Sequence, residues 1–204
     1  MFRISPRLPK LATLAAVLFV AACSSDSTVA PVGARAIKAP LFTGATIASK
    51  ILMYKDTVVV QFVVGPTGGS ADIGNHAITF PAGSICDPSV STYGPTQWQA
   101  PCQVIDAGIT ITATSWVDVN GHPRIDFTPA LRFTANAQGV LPTLYLRDSD
   151  AVLQDWSSIV YCVLPASGCV NEALTDAALT TYRDPVTGFL YRFIRHFSGY
   201  NVWA

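Results

Sequence analysis

Cysteine is the residue whose spacing says most about chemistry in this chain of 204 residues, with five copies at positions 23, 86, 102, 162 and 169. No two of Cys86, Cys102, Cys162 and Cys169 have the C-x-x-C spacing of a zinc site, and no histidine lies close to them. An even set of four suits disulfides in an oxidising compartment. Four cysteines allow three pairings. The local pairs Cys86–Cys102 and Cys162–Cys169 are expected, because each encloses a loop-like stretch. By loop-closure entropy such bridges stabilise by about 3 and about 2.5 kcal/mol, staples on a fold that has its own core. Cys23 is the odd one out.

The other reactive side chains are scattered. His76, His122 and His196 are far apart in sequence, each beside a turn or strand end, and no G-x-S-x-G elbow marks a nucleophilic serine. The histidines at the turns read as ordinary polar turn residues. Asp148 and Asp150 in "RDSD" lack the glycine and later glutamate of a calcium loop, so a solvated turn is expected there. Trp98, Trp116, Trp156 and Trp203 offer the aromatic surface of a carbohydrate-binding face, with Trp116 on the polar side of its strand. No cofactor and no metal are expected.

Cys23 belongs to the N-terminus. Arg3, Arg7 and Lys10 form a positive leader without acids, and Leu11 to Ala22 is an uncharged, apolar run with Thr13 its one polar residue. A spanning helix needs roughly 20 apolar residues, so this run reads as a secretory signal peptide, residues 1–22. "VAAC", Val20 to Cys23, resembles the bacterial lipobox, which implies cleavage before Cys23 and acylation of that residue. Ser24, not aspartate, follows; by resemblance to the sorting rule of double-membraned bacteria this points to the outer membrane. Residues 23–40, with small residues, two prolines and no apolar periodicity, read as the lipidated end and a flexible tether. Removal of the leader leaves 10 basic against 13 acidic residues. With no Lys/Arg cluster, nucleic acid is not an expected partner.

The elements follow from period-two patterning. In "ITITATSWVDV", Ile109, Ile111, Ala113, Val117 and Val119 take one face and Thr110, Thr112, Thr114 and Asp118 the other, as in a half-buried strand. Asn120-Gly121 tolerates the positive φ angles of a tight hairpin turn. The return run Arg124 to Phe133 is interrupted by Pro129, which predicts two short pieces or an edge. "TVVVQFVV", Thr57 to Val64, is nearly continuous β-branched sequence, expected to be covered on both faces. It ends at the "GPTGG" break. "TTYRDPVTGFLYRFIRHF" reads as strand, turn at Asp184 to Gly188, and a last strand running to Phe197, with Leu190, Ile194 and His196 on one side. The one helical candidate is Val170 to Leu179, with Asn171 as its cap. Short strands and turns at this spacing predict an all-β fold, an antiparallel sandwich or barrel, as one domain over residues 41–204.

Two segments resemble ZU5-like domains. "GPTGGSADIGNHAITFPAGSI", Gly65 to Ile85, is similar to their glycine signature, and "IRHFSGYNV", Ile194 to Val202, to their closing strand with His-Phe-Ser. The cysteine-bearing segments depart from that pattern. The resemblance implies a β-sandwich that is mostly non-catalytic and serves as an interaction unit; fold transfers better than function. It also implies a chemical alternative, since some ZU5-containing proteins cut themselves within His-Phe-Ser. Carried over, Ser198 is the nucleophile at the Phe197 carbonyl and His196 the base or positioning group, with Gly199 permitting a strained backbone.

The expectation is therefore a lipid-anchored cell-envelope protein, held to a membrane through Cys23, periplasmic or surface-facing. Its expected role is that of a non-catalytic interaction or structural module with an envelope protein or glycan partner. The alternatives are self-processing at His196-Phe197-Ser198 and carbohydrate binding.

Overall fold

A computed structural model describes residues 49–54, 57–162 and 168–204. The leader, Cys23 and the tether lie outside these residues.

The described chain forms two antiparallel sheets packed face to face. The first has seven strands in spatial order β1 (Ser49–Tyr54), β2 (Thr57–Val64), β5 (Ile109–Val117), β6 (Pro123–Thr128), β12 (Gly199–Trp203), β8 (Ser158–Cys162) and β9 (Cys169–Val170). The second has five, in order β10 (Tyr182–Asp184), β11 (Phe189–Phe193), β7 (Thr143–Arg147), β4 (His76–Phe80) and β3 (Gly69–Ile73). This is the expected all-β sandwich. Alternate residues of each sheet point inward, as the pleat dictates. Phe62, Ile111, Ile125, Phe127 and Tyr200 from one sheet meet Ile73, Ile78, Phe80, Leu144, Leu146 and Leu190 from the other. Each such apolar side chain stabilises the fold by about 1.5–3 kcal/mol relative to exposure.

The hairpin β5–β6 forms as its sequence predicts, with Gly121 at φ +88° in the turn. Asp118 fixes that turn, its Oδ1 accepting from the Asn120 and His122 amides at 2.9 and 3.1 Å. Val117 and Val119 do not share the buried face: they are 62% and 100% exposed, because the strand stops at Val117 and the inward alternation ends at Ser115. The run after β6 breaks at Pro129 and resumes only as isolated bridges at Arg132 and Phe133.

Two further expectations are corrected. β2 is not covered on both faces, since Gln61 and Val63 face solvent. The doubly covered strand is β7, in which Thr143 to Leu146 are all buried. On its outer face β7's own Tyr145 begins a cross-strand ladder along the sheet, stacking on Tyr191 of β11 (5.6 Å between ring centroids), which stacks in turn on Tyr182 of β10 (5.4 Å). The stretch from Val170 to Leu179 is no α-helix. It contains two 3-10 turns, Glu172–Leu174 and Ala177–Leu179, the first capped by Asn171 Oδ1 accepting from the Ala173 amide at 3.1 Å.

Both disulfides form as expected, Cys86–Cys102 and Cys162–Cys169. The first closes the long loop between β4 and β5. The second staples β8 to β9, whose strands pair at those two cysteines. Among the described residues no helix is long and apolar enough to cross a membrane.

Candidate functional site

The last strand does not run unbroken to Phe197. β11 ends at Phe193, and the chain then leaves the five-stranded sheet and crosses to the seven-stranded one, which it joins as β12 at Gly199. His196, Phe197 and Ser198 therefore sit at a corner between sheets. That explains why His196 and Phe197 are both fully buried, against strict alternation.

The corner is held from several sides. The Phe197 amide donates to the Leu131 carbonyl at 2.7 Å and the Phe133 amide to the Arg195 carbonyl at 2.7 Å. The Phe197 ring stacks on Phe127 at 4.2 Å and meets Phe133 edge-on at 4.8 Å. Tyr200 Oη donates to the His196 carbonyl at 2.7 Å. Gly199 is demanded by close approach: a Cβ there would lie 2.3 Å from Asp126 Oδ1 and 2.8 Å from the Cys162 carbonyl oxygen. Its φ is not in the left-handed region, so the glycine serves packing, not the backbone strain expected of it.

Around His196 lies a buried polar chain. Its Nε2 is 2.8 Å from Glu172 Oε1, and its Nδ1 is 3.2 Å from Ser198 Oγ. Glu172 Oε2 accepts from Arg192 Nη2 at 2.8 Å. Arg192, fully buried on β11, spends its other donors on the carbonyls of Ile159 (2.8 Å) and Phe193 (3.1 Å). Burial pushes the Glu172 carboxyl up, but the hydrogen bonds and charges of His196 and Arg192 outweigh burial and hold it below the usual carboxylate range. Glu172 is thus an anion at neutral pH. A carboxylate accepts only, so His196 Nε2 carries a proton, and Nδ1 is the ring atom that faces the Ser198 hydroxyl.

The loop closed by Cys86–Cys102 covers this chain. Trp98 stacks on the imidazole with centroids 3.6 Å apart and planes 19° apart. Tyr161 meets the same ring edge-on at 4.7 Å. Tyr93 donates its hydroxyl hydrogen bond to the Phe197 carbonyl oxygen. Burial raises the Tyr93 hydroxyl to a pKa of about 12, with its contact to Ser198 acting the other way. The loop is pinned by buried Arg132, which donates from Nη1 to the Gln97 carbonyl and, at 3.1 Å, to that of Ala100. The Cys162–Cys169 staple supports the opposite wall, with Glu172 three residues beyond Cys169.

Chemically, a hydroxyl, an imidazole and a carboxylate in this order are the parts of an activated nucleophile. The imidazole is sealed under Trp98, Tyr93 and Tyr161, so an outside substrate does not reach it. The carbonyl beside the Ser198 hydroxyl is the one in its own peptide bond, that of Phe197.

The structure thus unites His196, Phe197 and Ser198 with three residues that sequence reasoning did not nominate: Glu172, Arg192 and Tyr93. Glu172 lies in the stretch read as helical, and Tyr93 is 104 positions from its partner. The other histidines are elsewhere. His76 Nδ1 accepts from the Arg147 amide at 3.0 Å; burial lowers its pKa to about 4, with Asp148 pulling weakly upward. His122 Nδ1 contacts Asp148 Oδ2 at 2.8 Å. Asp148 is not a solvated turn residue, since it is buried and its Oδ1 accepts from the Asp150 and Ala151 amides at 3.1 and 2.9 Å. The four tryptophans do not form one face. Trp98 is taken up by His196, while Trp116 and Trp203 line one groove of about 770 Å³ with Asp118, Arg124 and Asn201. Among the described residues no cluster of His, Cys, Asp or Glu has the makings of a metal site.

No family model, no curated protein and no solved structure matches this chain.

Proposed function

We propose that this chain is a lipid-anchored cell-envelope protein whose ZU5-like sandwich cuts its own backbone between Phe197 and Ser198. The observation that carries this reading is His196, its imidazole fully buried, held between Glu172 at 2.8 Å and Ser198 at 3.2 Å. His196 Nδ1 takes the proton of the Ser198 hydroxyl as Oγ attacks the Phe197 carbonyl carbon. The tetrahedral adduct collapses by breaking the bond between that carbon and the Ser198 nitrogen, to which the imidazolium returns the proton. An ester between Phe197 and Ser198 Oγ remains. Water hydrolyses it to a Phe197 carboxylate and a free Ser198 hydroxyl, so one water is consumed and one peptide bond lost. Glu172 keeps the imidazole in its productive tautomer, and Arg192 balances Glu172's charge.

The cut leaves Ser198 to Ala204 in place. β12 is paired to β6 and β8, and its Tyr200 and Val202 are buried, so the strand stays docked without a covalent link. The anchored sandwich then serves as an interaction module whose last strand is separable on unfolding. Mass measurement of the protein purified from its native envelope, under denaturing conditions, tests this. A lipid-bearing chain ending at Phe197 and a peptide beginning at Ser198 are expected; an intact chain ending at Ala204 overturns the reading.

A second reading rests on a different surface. Trp203 is 59% exposed, Trp116 lies under the Arg124 guanidinium at 5.6 Å, and Asn201 Nδ2 donates to Asp118 Oδ2 at 3.0 Å. Indole faces flanked by planar polar groups suit a sugar ring, and a glycan screen with Trp203→Ala as the control tests binding there.

A further inference from the structure

We propose that Tyr93 is a catalytic residue of the self-cutting reaction, supplying the hydrogen bond that holds the oxyanion, and that the Cys86–Cys102 loop exists in part to deliver it. This rests on the self-processing reading and assigns it a group that the His-Phe-Ser motif does not contain.

Attack on the Phe197 carbonyl moves a pair of electrons onto its oxygen, and that developing charge needs a fixed donor. Tyr93 Oη already donates to this oxygen in the resting state. Its pKa of about 12 keeps it protonated across the neutral range, so it acts as a donor and not as a competing base for Ser198. His196 lacks the capacity to serve both needs, as Nε2 is engaged by Glu172 and Nδ1 by Ser198. Division of labour follows: His196 moves the proton, Tyr93 holds the charge.

The position of Tyr93 comes from the loop, not from a strand. Cys86 and Cys102 close the loop at its base, and the Cys86 amide donates to the Arg132 carbonyl at 2.9 Å. Arg132 bridges on its other side to His196, so loop base and cut site hang on the same residue. Arg132's guanidinium reaches up into the loop at Gln97 and Ala100. The Tyr93 ring also packs edge-on to the His196 ring at 6.3 Å, a contact that does not need its hydroxyl. Tyr93→Phe therefore removes the donor and leaves the packing.

The experiment is cell-free synthesis of the full chain as wild type, Tyr93→Phe and Ser198→Ala, following the fraction cut over time by denaturing gel and mass. The prediction is that the wild type cuts, Ser198→Ala does not, and Tyr93→Phe cuts about 10²–10³-fold more slowly while its thermal unfolding midpoint stays with that of Ser198→Ala. Wild type and Tyr93→Phe cutting at equal rates overturns the role of Tyr93 and leaves self-processing standing. A wild type that stays whole overturns both. If Tyr93→Phe slows the cut only in proportion to a lowered midpoint, Tyr93 is a packing residue and the proposal fails; Trp98→Phe, which perturbs the same loop but leaves the donor, sets the scale for that comparison.

Discussion

Two histidine–carboxylate contacts of equal length, His122–Asp148 and His196–Glu172, each 2.8 Å, do different things in this molecule. Asp148 spends its second oxygen on the amides of Asp150 and Ala151, so the pair clasps one turn to another near the surface. Glu172 spends its second oxygen on a buried arginine, and the far nitrogen of its histidine faces a hydroxyl. The His–carboxylate contact alone is therefore no sign of chemistry. What distinguishes the second pair is full burial of its histidine, a counter-charge on its carboxylate, a hydroxyl on the far nitrogen and a carbonyl adjacent to that hydroxyl.

The comparison breaks most directly at the histidines. His196→Gln is expected to slow the cut by about 10²–10⁴-fold, the usual worth of a positioned base, whereas His122→Gln leaves it unchanged. Time courses of the cut fraction check both. If the two variants behave alike, the contrast drawn between the pairs is void.

Stability should separate the carboxylates next. Glu172→Gln leaves the Arg192 cation buried without its anion, a loss of about 3–5 kcal/mol. Asp148→Ala removes the acceptor shared by the Asp150 and Ala151 amides together with the contact to His122, where about 1–3 kcal/mol is expected. Urea unfolding midpoints rank them, and an Asp148 variant that is the less stable of the two reverses the assignment.

His76 supplies a third environment, a histidine kept neutral by burial with no carboxylate in contact. Its folded pKa of about 4 lies below the unfolded value of about 6.5, so the unfolded chain binds the proton first. Its stabilisation is whole above pH 6.5 and is lost as pH falls toward 4, by about 3 kcal/mol across that window. His76→Gln, which still accepts from the Arg147 amide, should flatten the pH dependence of unfolding there. At the corner itself, Gly199→Ala overpacks against Asp126 and the Cys162 carbonyl and should cost about 1–3 kcal/mol in unfolding free energy, read from urea unfolding.

How much of this was legible in the residues depended on range. The hairpin at Asn120-Gly121, the turn at Asp184 to Gly188, both disulfides and the sandwich class follow from local pattern and spacing. β2 was misjudged because β-branched continuity reports propensity, while exposure of Gln61 and Val63 depends on what the other sheet leaves uncovered. His196 to Ser198 were visible as a motif, but their place at a sheet-to-sheet corner was not. Period-two reading carries a strand forward until something breaks it, and here the break is tertiary: the bonds to Leu131 and Arg195 and the glycine at 199. Glu172 and Tyr93 carry no local mark, since each is selected by a partner brought near only by the fold.

The claim tested most directly is that Ser198 attacks the carbonyl of its own peptide bond to give an ester. Cell-free synthesis of the full chain with and without hydroxylamine, followed by mass analysis of the large fragment, reads this out, because hydroxylamine cleaves esters and leaves a hydroxamate on the acyl group. The account predicts a faster cut with hydroxylamine and a hydroxamate at Phe197. A chain that remains whole in both reactions, or one that is cut to a plain carboxylate in both, contradicts it.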